Sequence, residues 1–190
     1  SLLVSYILAA ITGVIFLVAD QFTKVYISIM RGTPLMLQWI VVFFGPYYIF
    51  GMTLSRDFRM IAVIIAFTIN YAAYFAEIFR GGIESIPNGQ YEAAQVLGYN
   101  RLETFFIIVL PQVIKIVLPS ITNEVITLVK DTSLSFVLAI PEMFTVAKQI
   151  AAAEASISAL LIAGGFYYLF NALVAFIMER FEKRLDYYDT

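Results

Sequence analysis

Several carboxylate, amide and phenol side chains lie inside long apolar stretches of this sequence, where polar groups are costly and usually functional. Asn70, Tyr74 and Glu77 follow at i, i+4 and i+7, so a helix presents them on one face. Asn123 and Glu124 lie near the centre of another apolar stretch. Amides and carboxylates grouped in this way can bind a small polar molecule that carries an ammonium and a carboxylate group.

A purely structural alternative exists for most of these side chains. Hydrogen bonds between membrane helices contribute about 0.6 kcal/mol each. Asn70, Tyr74 and also Gln38, just inside the second apolar stretch, could serve only to hold helices together. Glu77 has Arg80 three residues later and could simply pair with it.

Glu124 is the strongest functional candidate of the set. No Lys or Arg lies three or four residues from it in either direction, so a mid-span carboxylate at this position needs another partner. A substrate ammonium, a water-filled path, a cation from elsewhere in the chain or protonation of the carboxyl would each serve.

The composition of the chain is that of a membrane protein. Of its 190 residues, 61% are hydrophobic and 14% are charged, too apolar for a soluble domain. The net charge of −2 argues against nucleic acid as a partner. The absence of Cys and His excludes disulfides and thiolate or imidazole metal sites, and we expect no metal site.

The apolar stretches predict five membrane spans, each near the length that crosses a bilayer. Gly45-Pro46 is expected to interrupt the second span and Pro119 to kink or break the fourth. The apolar segment 134–140 is too short to cross and predicts a re-entrant or interfacial piece. The predicted spans are approximately residues 2–18, 35–51, 60–79, 112–131 and 156–178.

The polar interval 91–112 predicts two helices joined by a tight turn. Ser85 can cap the first helix, which continues through 90–97. Gly98 suits the left-handed position that ends a helix. Asn100 and Glu103 have the spacing of a capping box at the start of the second helix.

This interval resembles the cytoplasmic EAA loop of the membrane subunits of type I ABC importers. The resemblance rests on Glu92-Ala93-Ala94, Gly98, Ile108 and Leu110-Pro111 at the spacing of that loop. It implies an all-α membrane protein with about five transmembrane helices and a cytoplasmic coupling helix, the type I ABC importer (MetI-like) permease fold. Residues 1–190 would form one permease domain, with the coupling loop at about 81–111. The residues implied in coupling to the ATPase are Tyr91, Glu92, Ala93, Ala94, Leu97 and Gly98.

Three further segments, 31–35, 73–82 and 123–134, are similar to the polar amino-acid branch of these permeases. The resemblance implies a permease subunit that forms the translocation path of an ATP-driven importer and works by alternating access. It implies no ATPase site in this chain, which has no GxxxxGK[ST] loop. The predicted substrate-binding residues are Gln38, Asn70, Tyr74, Glu77, Asn123 and Glu124.

The same resemblance implies a set of partners in a prokaryotic cell membrane. These are a second permease subunit, identical or related, two ATP-binding cassette subunits, an extracytoplasmic substrate-binding protein, an amino acid and the lipid bilayer. No cofactor is expected in this chain, whereas ATP and Mg²⁺ would bind the partner ATPase. With the coupling loop inside, eight Lys and Arg lie on the inner side and four outside, which predicts an external N-terminus and a cytoplasmic C-terminus.

Two other functions remain open at this point. An ion-coupled secondary transporter could use Glu124 as its ion site, but five spans without an inverted repeat argue against it. A non-transporting membrane scaffold would not need carboxylates at mid-span.

Overall fold

The computed structural model describes residues 20–55 and 57–185, in which every regular element is a helix. Two short segments depart from α geometry: a π-helix at Thr104–Val109 and a 3₁₀ helix at Thr132–Leu138. The α-helices are α1 (Asp20–Gly32), α2 (Leu35–Phe50), α3 (Phe58–Glu84), α4 (Asn88–Val96), α5 (Arg101–Glu103), α6 (Leu110–Asp131), α7 (Met143–Ala153) and α8 (Ser158–Leu185).

Three helical runs in this part of the chain are long and apolar enough to cross a membrane: α3, the continuous run Arg101–Leu138, and α8. They confirm the third, fourth and fifth predicted spans as helices. α1 and α2 pass the same test only together, as a pair bent by 110°. The described residues therefore hold three or four spans, and the first predicted span, 2–18, lies outside them.

Proline breaks the helices less than the sequence predicts. α2 continues through Gly45-Pro46, so the expected interruption there is wrong, and the sharp bend lies before Pro34 instead. α6 likewise continues through Pro119. A proline removes one backbone donor, and packing of the surrounding helix can compensate that loss.

One hydrophobic core joins the 3₁₀ helix to α2 and α3. Trp39 is fully buried and its ring contacts Phe67 edge-on at 4.8 Å. Leu138 and Ile140 pack into this cluster, so segment 134–140 lies against the bundle. The residues of the core are Trp39, Phe43, Ala62, Val63, Ala66, Leu138 and Ile140.

A second core lies where α3 crosses α6, close to α4. Ile86, Val109, Val113 and Val117 are buried there, and Tyr91 of α4 packs against them. Gly82 allows the two long helices to approach closely, since a Cβ on it would overlap the Val117 Cγ1 methyl.

Gly82→Ala is therefore expected to destabilise the bundle by roughly 1–3 kcal/mol, the usual cost of overpacking a core. The neighbouring Gly81→Ala is a matched control, because nothing lies within 4 Å of a Cβ at Gly81. Thermal unfolding of both variants in the same detergent measures the difference. Equal midpoints for the two variants would show that the α3–α6 crossing tolerates the extra methyl group.

Candidate functional site

The predicted polar residues come from three helices: Gln38 from α2, Asn70 to Glu77 from α3, and Asn123 with Glu124 from α6. The last turn of α1 adds Arg31, which the sequence analysis did not include. The structure separates these residues into a hydrogen-bonded junction, an ion-pair cluster and a carboxylate on α6.

Gln38 and Asn70 form a junction that holds the bend between α1 and α2 against α3. Asn70, which is buried, donates from Nδ2 to Gln38 Oε1 at 2.9 Å and to the Met30 carbonyl at 3.2 Å. Gln38 Nε2 donates to the same Met30 carbonyl at 2.9 Å and to Thr33 Oγ1 at 2.8 Å. These are the interhelical bonds of the structural alternative, and they satisfy the Met30 carbonyl at the C-terminal end of α1.

Glu77 lies in an ion-pair cluster near the C-terminal end of α3. Arg80 donates to it from Nε at 3.0 Å and from Nη2 at 2.5 Å, and its Nη1 pairs with Glu84 at 2.6 Å. The predicted pairing of Glu77 with Arg80 is confirmed. Arg31 Nη1 lies 3.5 Å from the same Glu77 oxygen, so the cluster also joins α1 to α3.

Arg31 also contacts the predicted residue Tyr74. Its guanidinium carbon lies 5.6 Å from the centre of the Tyr74 ring, within the range of a cation–π interaction. Arg31 therefore lies between the ion-pair cluster and the aromatic side chains of α3. The signal that could have identified Arg31 was a cation immediately before the Gly32-Thr33-Pro34 bend.

Glu124 is half-buried on α6, and within the described part of the chain no group donates a hydrogen bond to its carboxylate. Asp131 and Arg31 are the charged groups within electrostatic range of it. Asn123, the adjacent residue, is exposed on the single chain. The arrangement leaves the Glu124 carboxylate free to meet a cation.

Tyr71 and Asp131 were missed as a pair in the sequence. Tyr71 is buried and its hydroxyl donates to Asp131 Oδ2 at 2.9 Å, which joins α3 to the C-terminal end of α6. Glu142 was also missed: it caps α7 by accepting from Phe144 N and Thr145 N, and it accepts from the Tyr167 hydroxyl of α8 at 3.1 Å. The Tyr71–Asp131 and Glu142–Tyr167 contacts join residues distant in sequence, so spacing could not indicate them.

The turn that follows α4 has the predicted structure, whereas the start of α4 does not. Gly98 has φ +84°, the left-handed conformation predicted for it. Asn100 and Glu103 form the predicted capping box, with bonds of 2.8–3.0 Å. The prediction that Ser85 caps this helix is wrong: its hydroxyl donates to the Gly82 carbonyl at 2.7 Å and so ends α3.

The predicted coupling residues point in different directions. Ala94 is fully buried against the rest of the chain, and Tyr91 is half-buried. Glu92, Ala93, Leu97 and Gly98 are exposed. Val96, which was not among the predicted coupling residues, is 88% exposed, and Leu97 is 73% exposed. Apolar side chains on the outer face of a short polar helix form a surface suited to a protein partner.

The described residues contain no group of three or more acidic side chains that could hold a metal ion.

Comparison with known proteins agrees with the helical architecture. The chain is 36% identical over 167 residues to the L-cystine transport system permease protein TcyB of Bacillus subtilis (strain 168), covering 87% of this chain and 70% of that one. It is 37% identical over 161 residues to the arginine transport system permease protein ArtQ of the same organism, covering 84% and 72%.

Two solved structures have the same fold. A crystal structure of an amino acid ABC transporter with histidines superposes with a TM-score of 0.74 at 30% identity, over 85% of this chain and 74% of that one. An inward-facing MetNI methionine ABC transporter gives a TM-score of 0.72 at 16% identity, over 88% and 76%. The second likeness concerns the fold alone.

The family assignment rests on a match that covers nearly the whole chain. Residues 5–187 match the family described as the inner membrane component of binding-protein-dependent transport systems. Members of this family work with a partner permease, a separate ATPase subunit and a substrate-binding protein, and have no ATPase site of their own. The chain belongs to this family and is a multi-pass membrane permease subunit of an ABC importer.

Proposed function

We propose that this chain forms the translocation path for a polar amino acid, as one half of a permease dimer driven by two ATPase subunits. The names of the relatives support amino acids as the substrate class. The observation that carries the proposal is the half-buried Glu124 carboxylate on α6, which accepts no hydrogen bond from any described residue. The ammonium group of an amino acid is a cation that this carboxylate can bind.

The remaining predicted residues have two different roles around this path. Tyr74 and Asn123 can contact the substrate beside Glu124. Gln38, Asn70 and Glu77 lie next to the path. Gln38 and Asn70 are bonded to each other between α2 and α3, and Glu77 is paired with Arg80 of its own helix and with Arg31 of α1. They hold α1, α2 and α3 in position, and hydrogen bonds that persist in this way keep the site preformed.

ATP with Mg²⁺ bound to the partner subunits would supply the driving force. In this mechanism, closure of the ATPase dimer moves α4, and the two permease subunits rock about the shared path by alternating access. An extracytoplasmic binding protein delivers the amino acid. The exposed face of α4, with Val96 and Leu97, is the surface proposed to dock on the ATPase.

Reconstitution with its ATPase and binding protein tests this function directly. Uptake of labelled L-arginine, L-cystine and L-glutamine into vesicles should require ATP on the side of the membrane that the ATPase subunits face. It should continue in the presence of an uncoupler. Uptake that continues without ATP and collapses with the uncoupler would instead establish an ion-coupled transporter.

The proposed orientation places α4 in the cytosol and the connection between α2 and α3 outside. Because the chain has no native Cys, a single cysteine at Asn88 or at Ser55 is a clean probe. Both positions are exposed. An impermeant thiol label should react with Asn88→Cys only from the cytosolic side and with Ser55→Cys only from outside. The reverse pattern would overturn the orientation and the docking surface together.

A further inference from the structure

The connection between α4 and α6 contains a helical segment of unusual geometry. The π-helix Thr104–Val109 lies between the capping box and α6, and the Leu110 N–H bonds to the Phe105 carbonyl five residues earlier. Pro111 follows in the first turn of α6. It has no N–H, so the ordinary α-helical bond to the Ile107 carbonyl cannot form. π-segments inside α-helices are rare and are frequent at functional sites.

Two kinds of contact join α4 to this segment. The first is apolar: Tyr91 packs against the buried cluster of Ile86, Val109, Val113 and Val117, and Ala94 is fully buried. Apolar packing is not directional, so this contact resists separation but does not fix the direction of a displacement.

The second contact is polar and directional. The Gln112 Nε2 group donates to the Ile108 carbonyl of the π-helix at 2.7 Å. The same group lies 3.4 Å from Gln90 Oε1 of α4, at the long end of the hydrogen-bond range. Gln112 is half-buried on α6, whereas Gln90 is exposed on α4. One amide therefore joins α4, the π-helix and α6.

We propose that Gln112 is a positioning residue that transmits displacement of α4 to α6 through the π-helical segment. The proposal rests on the proposed docking of α4 on the ATPase. Movement of Gln90 shifts the shared amide, which changes its bond to Ile108 in the π-helical segment, where the α-helical hydrogen-bond pattern is not formed. Glu124 lies twelve residues further along α6, about 18 Å at 1.5 Å per residue, so a turn of α6 at its base reorients that carboxylate.

A double-mutant cycle tests the proposal in the assembled, reconstituted importer. The variants are Gln112→Met, Gln90→Met and the double substitution, with Gln149→Met on the exposed part of α7 as the matched control. The measured quantity is labelled amino acid transported per ATP hydrolysed. Each single variant should lower this ratio about fivefold, the effect of losing one hydrogen bond. The double variant should be no worse than the singles, because both remove the same connection.

Docking is measured separately, as binding of each variant to its ATPase, and should not change. A positioning role predicts less amino acid transported per ATP hydrolysed, with normal docking and normal ATP hydrolysis. A merely structural role would instead lower the yield of assembled complex, and the complexes that do assemble would transport the normal amount of amino acid per ATP. Gln90 is exposed, so Gln90→Met keeps the test valid if Gln112→Met does not assemble. An unchanged ratio, or losses in the two singles that multiply in the double, would overturn the proposal. Failure of the proposed function would appear instead in the wild-type chain, as absence of ATPase binding.

Discussion

Glu124→Gln is expected to lower amino-acid transport by roughly 10- to 100-fold while ATP hydrolysis by the assembled complex continues. The substitution keeps the shape of the side chain and removes its charge. Hydrogen bonds to charged groups contribute about 1.5–3 kcal/mol, and each 1.4 kcal/mol is about tenfold in an equilibrium constant. ATP hydrolysis should continue because α4 and its surroundings are unchanged.

The comparison with Glu77→Gln separates a substrate ligand from a structural carboxylate. Glu77 pairs with Arg80 and Arg31, so its substitution should reduce the yield of folded protein more than the transport per folded complex. Asn123→Ala should have a milder effect on transport than Glu124→Gln. The measurement is uptake normalised to assembled complex. Wild-type uptake of every accepted amino acid by Glu124→Gln would remove Glu124 from the substrate path.

Val96→Asp is expected to abolish stable binding of the ATPase subunit. Val96 is 88% exposed and lies on the face of α4 opposite the buried Ala94. A charge placed at the centre of an apolar interface loses its hydration without gaining a partner. A loss above about 2 kcal/mol, typical of a central contact, weakens binding by about thirtyfold or more.

The control for this substitution is Met52→Asp, which adds the same charge at another exposed apolar residue. Met52 is 56% exposed beyond the end of α2, on the side proposed to be external. Its ATPase affinity should equal that of wild type. Affinity of the permease for the ATPase, measured in detergent by titration, gives both values. Normal affinity of Val96→Asp would show that the ATPase contacts another surface.

Local chemistry determined the features that the sequence predicts correctly. Gly98 adopts a positive φ because the turn needs a residue without Cβ. The Asn100–Glu103 capping box forms because both partners lie within one helical turn. The long helices follow from apolar length alone. None of these features depends on a distant part of the chain, so spacing and residue type suffice to predict them.

Tertiary packing decided the features that the sequence left open or predicted wrongly. Ala94 is fully buried in a fold that packs α4 against the π-helix Thr104–Val109. Residue type alone cannot predict that Ala94 is buried while its neighbour Ala93 is exposed. Asn70 bonds to Gln38, 32 residues earlier, only because the bend between α1 and α2 carries Gln38 onto α3.

Glu124 shows the same division in one residue. Its position at mid-span and its lack of a cation within one helical turn follow from the sequence. Asp131 lies two turns further along the same helix, whereas Arg31 comes within electrostatic range of Glu124 only because α1 and α6 both pack against α3. Contacts between residues far apart in the chain form only when burial of apolar surface brings helices together, and that burial is a property of the whole fold.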